Sequence, residues 1–324
     1  MKAVIQTAYG PPERVLEVRD ITAPAVGESD VMIRVHAASL HAGDYFLAVG
    51  VPWLARTAVG FPRPRADYVV GLDAAGVVEQ VGGSVTRFKP GDEVFAECSP
   101  RAAGTGACAE LTCAPEDNVV GKPANLSFAE AAAIPVSALA SLHGLRDAGK
   151  VQAGQHVLVV GAAGGVGTFA VQIGKWLGAE VTGVCSGANA ELVLSLGADH
   201  VIDYTKDDFT AGGPRYDLIL DNVGDHSLAE ARRALKPDGR LLPNSGRAGM
   251  GYFISAFLIA PFVRQQGQPF TSAPNREDME LLGTLAESGT IRPVVGRMLP
   301  LGETAAALAH VGTGHARGKV VVAL

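Results

Sequence analysis

The sequence predicts an α/β protein that combines a β-rich, barrel-like unit with a doubly wound parallel sheet. Short apolar runs separated by Gly, Pro and Asp fill the first third of the chain. Strand and helix patterns then alternate, and a helix followed by a strand closes the chain. With 324 residues, 48% of them hydrophobic, the chain is long enough for two domains with sizeable cores.

The β-rich domain is expected over residues 1–122 and 275–324. Runs such as KAVIQTA and VMIRVHAAS have the length and β-branched content of strands, and YGPPE and KPGDE are turn signals between them. Short strands with few helices are typical of a compact barrel-like unit. The last run, GKVVVAL, needs a sheet to join, and the N-terminal β unit is the expected host.

The parallel sheet is expected over residues 123–274, because strands and helices alternate there with the lengths of a doubly wound sheet. An Ala-rich helix with Ser127 as its N-cap and Glu130 three residues later leads into it. The predicted strands are His156–Val160, Glu180–Val184, His200–Asp203, Tyr216–Leu220 and Gly239–Leu242. The predicted helices between them are Val166–Leu177, Ala190–Leu196 and Ser227–Leu235.

Charge and hydropathy argue against two classes of partner. A net charge of −6 and a pI near 5.8 disfavour a nucleic-acid surface, which needs an excess of Lys and Arg, and also disfavour an anionic membrane. The most apolar late run, MGYFISAFLIAPFV, is shorter than the ~20 residues of a membrane span, so it predicts a buried or cleft-lining helix.

The location is predicted from the cysteines and the N-terminus. Cys98, Cys108, Cys113 and Cys185 form no C-x-x-C motif, and such sparse usage indicates free thiols in a reducing compartment. The N-terminal residues lack the apolar core of a signal peptide. Together these features predict a cytoplasmic protein.

The stretch VVGAAGGVG predicts a dinucleotide site. Ala162, Gly164 and Gly167 fit G-x-G-x-x-G with Ala in the first slot. Gly164 would let the backbone approach a diphosphate, and Gly167 would let the helix pack close to the strand. The amides around Gly165 and Val166 would then point at the phosphates from the start of the helix.

The next strand favours NADPH as the coenzyme. An NAD site usually has an Asp or Glu about 20 residues after the glycines, to bind the ribose 2′-hydroxyl. Here Ser186 follows the strand, and no carboxylate in that loop would repel a 2′-phosphate. Ser186, Asn189 and Tyr204 are the predicted contacts, with Lys175 and Lys206 as further candidates.

Further coenzyme contacts are expected where the later strands end. Asn222 and Ser245 each follow a predicted strand of the parallel sheet. The carboxyl ends of such strands face the coenzyme crevice. Both residues are therefore predicted to bind the coenzyme.

The motifs GLDAAGVVEQVG, FKPGDEVF, GAAGGVG, LGADHVIDYT and HARGKVVV span nearly the whole chain. They resemble the medium-chain dehydrogenase/reductase superfamily, in its zinc-independent, quinone oxidoreductase-like branch. The resemblance implies a GroES-like β-barrel catalytic domain and a Rossmann domain, with the active site in the cleft between them. It also implies coenzyme contacts by Ser137 and Lys319, and a homodimer through Rossmann-domain edge strands.

The same resemblance argues against a catalytic zinc, which needs three protein ligands. The ligand positions of zinc-dependent relatives align with His41, with Leu72 and with the stretch IPVSALA, which has no cysteine. One histidine does not make a zinc site. Without a Lewis acid, hydride transfer needs a substrate that is already electrophilic, such as a quinone or an α,β-unsaturated carbonyl compound.

Two side chains are candidates for the catalytic role. His41 stands where many relatives have Asn, and it could donate a hydrogen bond to a carbonyl or protonate an enolate. Tyr45 is the second candidate acid, whereas Asp44 is mostly structural in the family. Trp53 and Phe61 would make the substrate site apolar and suited to an aromatic small molecule.

The sequence therefore predicts a cytoplasmic, zinc-independent NADPH-dependent reductase of quinones or enones. Two alternatives stay open. One is a zinc-free NADP-dependent alcohol or ketone dehydrogenase that uses His41 as acid and base. The other is an NADPH-binding sensor protein without turnover.

Overall fold

The structure, a computed structural model, describes residues 1–98, 105–213, 215–244, 265 and 270–324. The chain divides into two units, Met1–Leu139 with Ala273–Leu324, and Ala140–Ser272. The apolar run at 250–263 and the predicted coenzyme contact Ser245 lie outside the described residues. The domain limits expected from the sequence, after residues 122 and 274, stay predictions.

The first unit contains two sheets, one of which pairs β1 (Lys2–Gln6) with β2 (Leu16–Asp20) in antiparallel fashion. The strands of the larger, seven-stranded sheet are β3 (Asp30–Leu40), β4 (Asp73–Val81), β5 (Glu93–Glu97), β6 (Leu111–Pro115), β7 (Val119–Gly121), β13 (Val295–Pro300) and β14 (Lys319–Ala323). Their order is β13-β14-β3-β4-β5-β7, with β6 paired to β3. The final strand thus joins the N-terminal sheet, as predicted, by antiparallel pairing with β3.

The helices of this unit are short, apart from one near the C-terminus. They are α1 (Pro12–Val15), α2 (Ala42–Val49), α3 (Arg56–Val59), α4 (Phe128–Ala132), α5 (Pro135–Leu142, which continues into the second unit), α9 (Arg276–Glu287) and α10 (Thr304–Gly312). The predicted capping box starts α4, because the Ser127 hydroxyl accepts from the Glu130 amide at 3.3 Å and the Glu130 carboxylate accepts from the Ser127 amide at 2.9 Å.

The second unit is built on a five-stranded parallel sheet. Its strands are β8 (His156–Val160), β9 (Glu180–Cys185), β10 (His200–Asp203), β11 (Tyr216–Asp221) and β12 (Leu235–Pro243), and its helices are α6 (Gly165–Trp176), α7 (Ala190–Ser195) and α8 (Leu228–Arg233). The strand order β10-β9-β8-β11-β12 reverses direction at β8, as in a doubly wound sheet. The predicted α/β architecture is confirmed.

Only β12 departs clearly from its predicted bounds. The sequence predicts a strand at Gly239–Leu242, because the stretch KPDG before it reads as a turn. In the structure Leu235 already pairs with Tyr216, and the register shifts before Leu218 meets Arg240. The turn signal is thus an irregularity inside one longer strand.

Two further observations bear on the expectations from composition. No helix in the described part of the chain is long and apolar enough to cross a membrane. All four cysteines are buried and form no disulfide.

Candidate active site

The turn between β8 and α6 has the backbone that its glycines predict. Gly161 directly follows β8 and has φ +75°, in the left-handed region that glycine adopts readily. A Cβ on Gly167 would lie 2.1 Å from the Gly161 carbonyl oxygen and 2.7 Å from the Ala162 Cα. Only glycine at 167 therefore lets the helix begin this close to the strand.

The start of α6 fits a coenzyme diphosphate. Gly164 is the N-cap, and a Cβ on it would meet nothing closer than the Gly161 oxygen at 3.4 Å. Among the described residues no side chain caps this helix, and its first turn has no acid. The amides of Gly165, Val166 and Gly167 thus keep the free donors and the positive helix end that bind phosphate groups.

The three residues predicted to contact the 2′-phosphate come together at the ends of β9 and β10. The Asn189 amide donates to the Ser186 hydroxyl at 3.1 Å. The Tyr204 backbone N–H donates to the Cys185 carbonyl at 3.1 Å, which holds the residue beside the first loop, and its side chain is about half exposed. Of the two lysine candidates, Lys175 is already paired with Asp199 at 2.8 Å.

An acidic residue that is distant in sequence from this loop lies beside it in the structure. The Asp203 carboxylate, at the end of β10, accepts a hydrogen bond from the Gly187 backbone, and a Cβ on Gly187 would lie 2.5 Å from its Oδ2. Hydrogen bonds from Thr205 hold the pKa of Asp203 below its usual value, so the group is charged. The Lys206 ammonium lies 3.4 Å from Oδ2 and offsets part of that charge.

Asn222, predicted as a coenzyme contact, links the ends of three strands. Its Nδ2 donates to the Val160 carbonyl at 3.0 Å, and its Oδ1 accepts from the Asn244 amide at 2.8 Å. The side chain thus ties the end of β11 to the ends of β8 and β12. Asn244, which the sequence analysis did not single out, holds this amide in place.

In the first unit, antiparallel pairing gathers polar residues at one end of the larger sheet. Asp73 opens β4 and lies opposite Ser39 of β3 and Glu97 of β5. His41 directly follows β3, and Lys319 opens β14 beside it. Because successive antiparallel strands alternate in direction, the end of one strand meets the start of the next at this place.

Asp73 and Lys319 form a buried ion pair in that group. The Lys319 ammonium is 3.1 Å from Asp73 Oδ2 and 3.0 Å from the Ser137 hydroxyl oxygen, and both charged residues are at most 1% exposed. Asp73 Oδ1 accepts from the Val136 backbone N–H at 3.0 Å. Burial raises the pKa of Asp73, and the Lys319 ammonium acts in the opposite direction. Ser137 and Lys319 are thus brought together, and their coenzyme contacts stay predictions.

His41 folds back over the first turn of α2, where it is the N-cap. Its backbone N–H donates to Asp44 Oδ2 at 2.9 Å, and its ring Nε2 is 3.4 Å from the same oxygen. A Cβ on Gly43 would lie 2.6 Å from the ring Cε1 and 2.7 Å from Nδ1. The ring adopts this position because residue 43 has no side chain.

Burial changes the protonation of this group. It lowers the pKa of His41 to about 4, so the imidazole is neutral near pH 7. It raises the pKa of Asp44 to about 7 and, together with the charges of Asp73 and Asp44, that of Glu97 to about 8. A neutral imidazole can donate a hydrogen bond to a carbonyl oxygen, but it lacks the additional proton that an imidazolium would transfer as an acid.

Tyr45, the second candidate acid, is engaged in packing. A Cβ on Gly312 of α10 would lie 2.2 Å from the Tyr45 ring, so the ring rests directly on that glycine. The ring also meets Phe46 edge to face, with centroids 5.9 Å apart. The structure therefore brings Tyr45 to the α2–α10 contact and shows no hydrogen bond from its hydroxyl among the described residues.

Two family models match this chain, one in its N-terminal part and one in its C-terminal part. The alcohol dehydrogenase GroES-like domain matches residues 27–124, and the zinc-binding dehydrogenase model matches residues 196–322. A 2-methylene-furan-3-one reductase from Solanum lycopersicum is 33% identical over 99% of this chain and 79% of its own length. The chain belongs to the medium-chain dehydrogenase/reductase superfamily.

Two further relatives agree with this membership. The NADPH-dependent alkenal/one oxidoreductase of Arabidopsis thaliana chloroplasts is also 33% identical, over 99% of this chain and 79% of its own length. The quinone oxidoreductase from Coxiella burnetii superposes with a TM-score of 0.88 and 30% identity, covering 100% of this chain and 99% of that one. The predicted resemblance to the quinone oxidoreductase-like branch is confirmed, and this medium-chain dehydrogenase/reductase is a nicotinamide-dependent oxidoreductase.

The described residues of this medium-chain dehydrogenase/reductase do not fit a catalytic zinc at His41. Leu72, which aligns with a ligand in zinc-dependent members, offers no donor atom. Within the described part of the first unit, no three His, Cys, Asp or Glu side chains converge closely enough to share one ion.

Sequence reasoning about this medium-chain dehydrogenase/reductase missed Asp73, Glu97 and Asp203. Asp73 and Glu97 each lie directly beside a largely buried apolar run of their strand, AAGVV in β4 and VFA in β5, and this position was the available signal. Asp203 gave no signal, because it is far in sequence from the loop that it contacts.

Proposed function

We propose that this chain is an NADPH-dependent reductase of quinones and α,β-unsaturated carbonyl compounds that works without zinc. The observation that carries the proposal is the end of the first unit's sheet, where a neutral His41 lies near the Lys319–Asp73 ion pair and Leu72 offers no ligand atom. The names of the relatives, an alkenal/one oxidoreductase and a quinone oxidoreductase, support the same substrate class.

The substrate class follows from the chemistry available. A bound dihydronicotinamide supplies a hydride. With no Lewis acid to polarise an oxygen, the accepting carbon must already be electron-poor, as it is in a quinone or an enone. The His41 imidazole then donates a hydrogen bond to the carbonyl oxygen as negative charge develops there.

NADPH is the proposed coenzyme, although Asp203 weakens the charge argument. The loops after β9 and β10 offer the Ser186 hydroxyl, the Asn189 amide and the Tyr204 phenol as donors. The exposed Lys206 ammonium adds positive charge and already lies against Asp203. Because a cation and an anion share this loop, we expect a preference for NADPH over NADH that is modest rather than absolute.

An apolar, aromatic substrate is supported by the segment between α2 and β4. Trp53 is 63% exposed and Phe61 is 67% exposed, which is unusual for side chains of this size. We propose that they contact the substrate. The second apolar segment predicted for this role lies outside the described residues.

We propose that the protein is cytoplasmic and forms a homodimer. Four buried, unpaired cysteines support a reducing compartment such as the cytoplasm. The homodimer is expected from the family resemblance, and size-exclusion chromatography with light scattering tests it.

The test is a coenzyme and substrate panel. The purified protein is titrated with NADPH and NADH, and then assayed with a quinone, an alkenal, an aryl enone, a simple ketone and a simple alcohol. We expect NADPH oxidation with the first three acceptors and none with the last two. Turnover of only ketones and alcohols, or tight NADPH binding with no turnover, would overturn the proposal in favour of the alternatives above.

A pair of histidine variants tests the role of His41. His41→Ala should lower kcat for an enone by about 10- to 100-fold, the value of one hydrogen bond to a developing charge. The control is His36→Ala, which removes a histidine of β3 that stacks on Phe128 instead. Equal kcat values for the two variants would remove His41 from the mechanism.

A further inference from the structure

We propose that the second unit carries a site for one transition-metal dication, such as Zn²⁺, formed by His156, Glu180 and His200. The site is separate from the reductase chemistry, because it lies at the amino ends of β8, β9 and β10. The predicted coenzyme loops follow the carboxyl ends of the same strands. The ion takes no part in hydride transfer and instead joins three neighbouring strands where they begin.

The strand register brings the three side chains together. Each is the first residue of its strand, and neighbouring parallel strands begin at the same edge of their sheet. His156 lies directly opposite Glu180 in the pairing of β8 with β9. His200 lies opposite Thr182, two residues beyond Glu180, so it is the diagonal neighbour of Glu180. Because side chains alternate along a strand with a period of two, all three lie on the same face.

Both imidazoles contact the carboxylate through Nε2. The Nε2 atom of His156 is 3.5 Å from Glu180 Oε2, and that of His200 is 3.2 Å from Oε1. Ligand atoms around a tetrahedral Zn²⁺ lie about 3.3 Å from one another, because Zn–N and Zn–O bonds are about 2.0 to 2.1 Å long. Both nitrogen-to-oxygen distances therefore match the spacing of atoms that share one ion.

The two rings must turn toward each other to share that ion, since they contact different oxygens of the carboxylate. Their surroundings allow this movement. The His156 side chain is 43% exposed, the His200 side chain is 64% exposed and the Glu180 side chain is 41% exposed. Water rather than packed protein atoms covers much of all three, so the side chains can rotate without displacing the core.

The charges at this edge leave Glu180 available to a cation. Asp199, just before β10, is 2.8 Å from the Lys175 ammonium, and Asp217 of β11 is 2.8 Å from that of Lys236. Within the described part of the chain, no lysine or arginine pairs with Glu180, and its ion-pair partners are the two imidazoles. A dication at this place gains an uncompensated carboxylate and two nitrogen donors.

The donor set determines the class of ion. Imidazole nitrogen suits Zn²⁺, Cu²⁺ and Ni²⁺, whereas Mg²⁺ and Ca²⁺ prefer a larger number of oxygen ligands. Two imidazoles and one carboxylate leave a fourth position that water can fill, as in zinc sites with three protein ligands.

The strand most affected by the ion is β10, the edge strand of the described sheet. It is four residues long, and the three residues after His200 are only half-buried. Its carboxyl end carries Asp203, which contacts the predicted coenzyme loop. Binding of the ion fastens the start of this weakly buried strand to β8 and β9.

Calorimetric titration of the tag-free, EDTA-treated protein with Zn²⁺ tests the site, at about pH 7.5, where most imidazole is neutral and can bind a metal. His156→Gln, Glu180→Gln and His200→Gln should each weaken Zn²⁺ binding by at least about 10-fold, since loss of a group that only orients a metal ligand already costs about 10- to 100-fold. Mg²⁺ should not compete with Zn²⁺.

The matched control is His226→Gln in the same unit. His226 also contacts two carboxylates, at 3.4 Å from Asp208 and 3.0 Å from Asp225, but it does so through different ring nitrogens. No second imidazole joins either contact among the described residues, so this variant should bind Zn²⁺ as the wild type does. Circular dichroism and NADPH titration show that each variant is folded.

Hydrogen exchange locates the bound ion. Zn²⁺ should slow exchange in peptides that contain β9 and β10 of the wild type and of His226→Gln, and should leave it unchanged in His200→Gln. Wild-type affinity in any of the three ligand variants, or no binding by the wild type at millimolar Zn²⁺, would overturn the site. None of these measurements needs turnover, so failure of the reductase assay would leave this test intact.

Discussion

Replacing Lys319 by methionine should cost the first unit about 3 to 5 kcal/mol of unfolding free energy, the usual result of removing one partner from a buried ion pair. The ammonium is 1% exposed and touches Asp73 at 3.1 Å and Ser137 at 3.0 Å. Methionine fills a similar volume, so the loss is electrostatic rather than a cavity. It leaves Asp73 buried, with the Val136 N–H still donating to its carboxylate at 3.0 Å.

The control is the ion pair of Arg34 and Glu79, which joins β3 to β4 on an exposed surface. Its atoms are 2.8 Å apart, but the two side chains are 52% and 43% exposed. Arg34→Met should therefore cost less than about 1 kcal/mol. The double variant Asp73→Asn/Lys319→Met removes both buried charges and keeps an acceptor for Val136, so it should be more stable than Lys319→Met alone.

The sign of the pH dependence separates this explanation from simple misfolding. Burial already raises the pKa of Asp73, and loss of the ammonium raises it further. Between the unfolded pKa of about 3.9 and the higher folded pKa, the folded state binds a proton that the unfolded chain has released. The stability of Lys319→Met should therefore fall as the pH rises through that window, by up to about 1.4 kcal/mol per unit.

Urea unfolding followed by circular dichroism, at pH 5 and pH 8, measures these differences. Hydrogen exchange of peptides from β4 and β14 assigns them to the first unit. A cost for Lys319→Met no larger than that for Arg34→Met, or a cost that does not depend on pH, would refute the reasoning.

Three other predictions concern the coenzyme loops and the thiols. Gly167→Ala should lower stability by about 1 to 3 kcal/mol, because its Cβ would lie 2.1 Å from a carbonyl oxygen, whereas Gly164→Ala should keep stability and weaken NADPH binding. Thermal unfolding measures the first effect and calorimetric titration with NADPH measures the second. Equal effects of the two variants on stability and on binding would contradict the account. Asp203→Asn should increase the ratio of NADPH to NADH affinity by about 3- to 10-fold, since it removes a charge at Gly187, and an unchanged ratio would count against a coenzyme at this loop. Burial raises the pKa of all four cysteines, that of Cys98 to about 12, so a disulfide reagent at pH 8 should label none in the folded protein and four in urea; rapid labelling of the folded protein would be the contrary result.

Local patterns in the sequence were enough to predict most strands and helices described in the second unit. The strands β8 and β10 have their predicted bounds, since apolar runs of that length between glycine turns leave few alternatives. Gly167 could be assigned a packing role because all positions of the G-x-G-x-x-G motif lie within one turn between a strand and a helix. The same applies to the capping box at Ser127, whose partner is three residues away.

The sequence by itself therefore determined the fold class, the return of the last strand to the first sheet, and the glycine turn that fits a dinucleotide. Only the tertiary structure decided the electrostatics. Asp73 and Lys319 are 246 positions apart, and no local pattern pairs them. The charge state of His41 and Asp44 depends on burial by strands from both ends of the chain, and the Asp203 carboxylate reaches the coenzyme loop from a neighbouring strand. Periodicity and turn chemistry act over a few residues, whereas desolvation and Coulomb forces act through space between whatever residues the fold brings together.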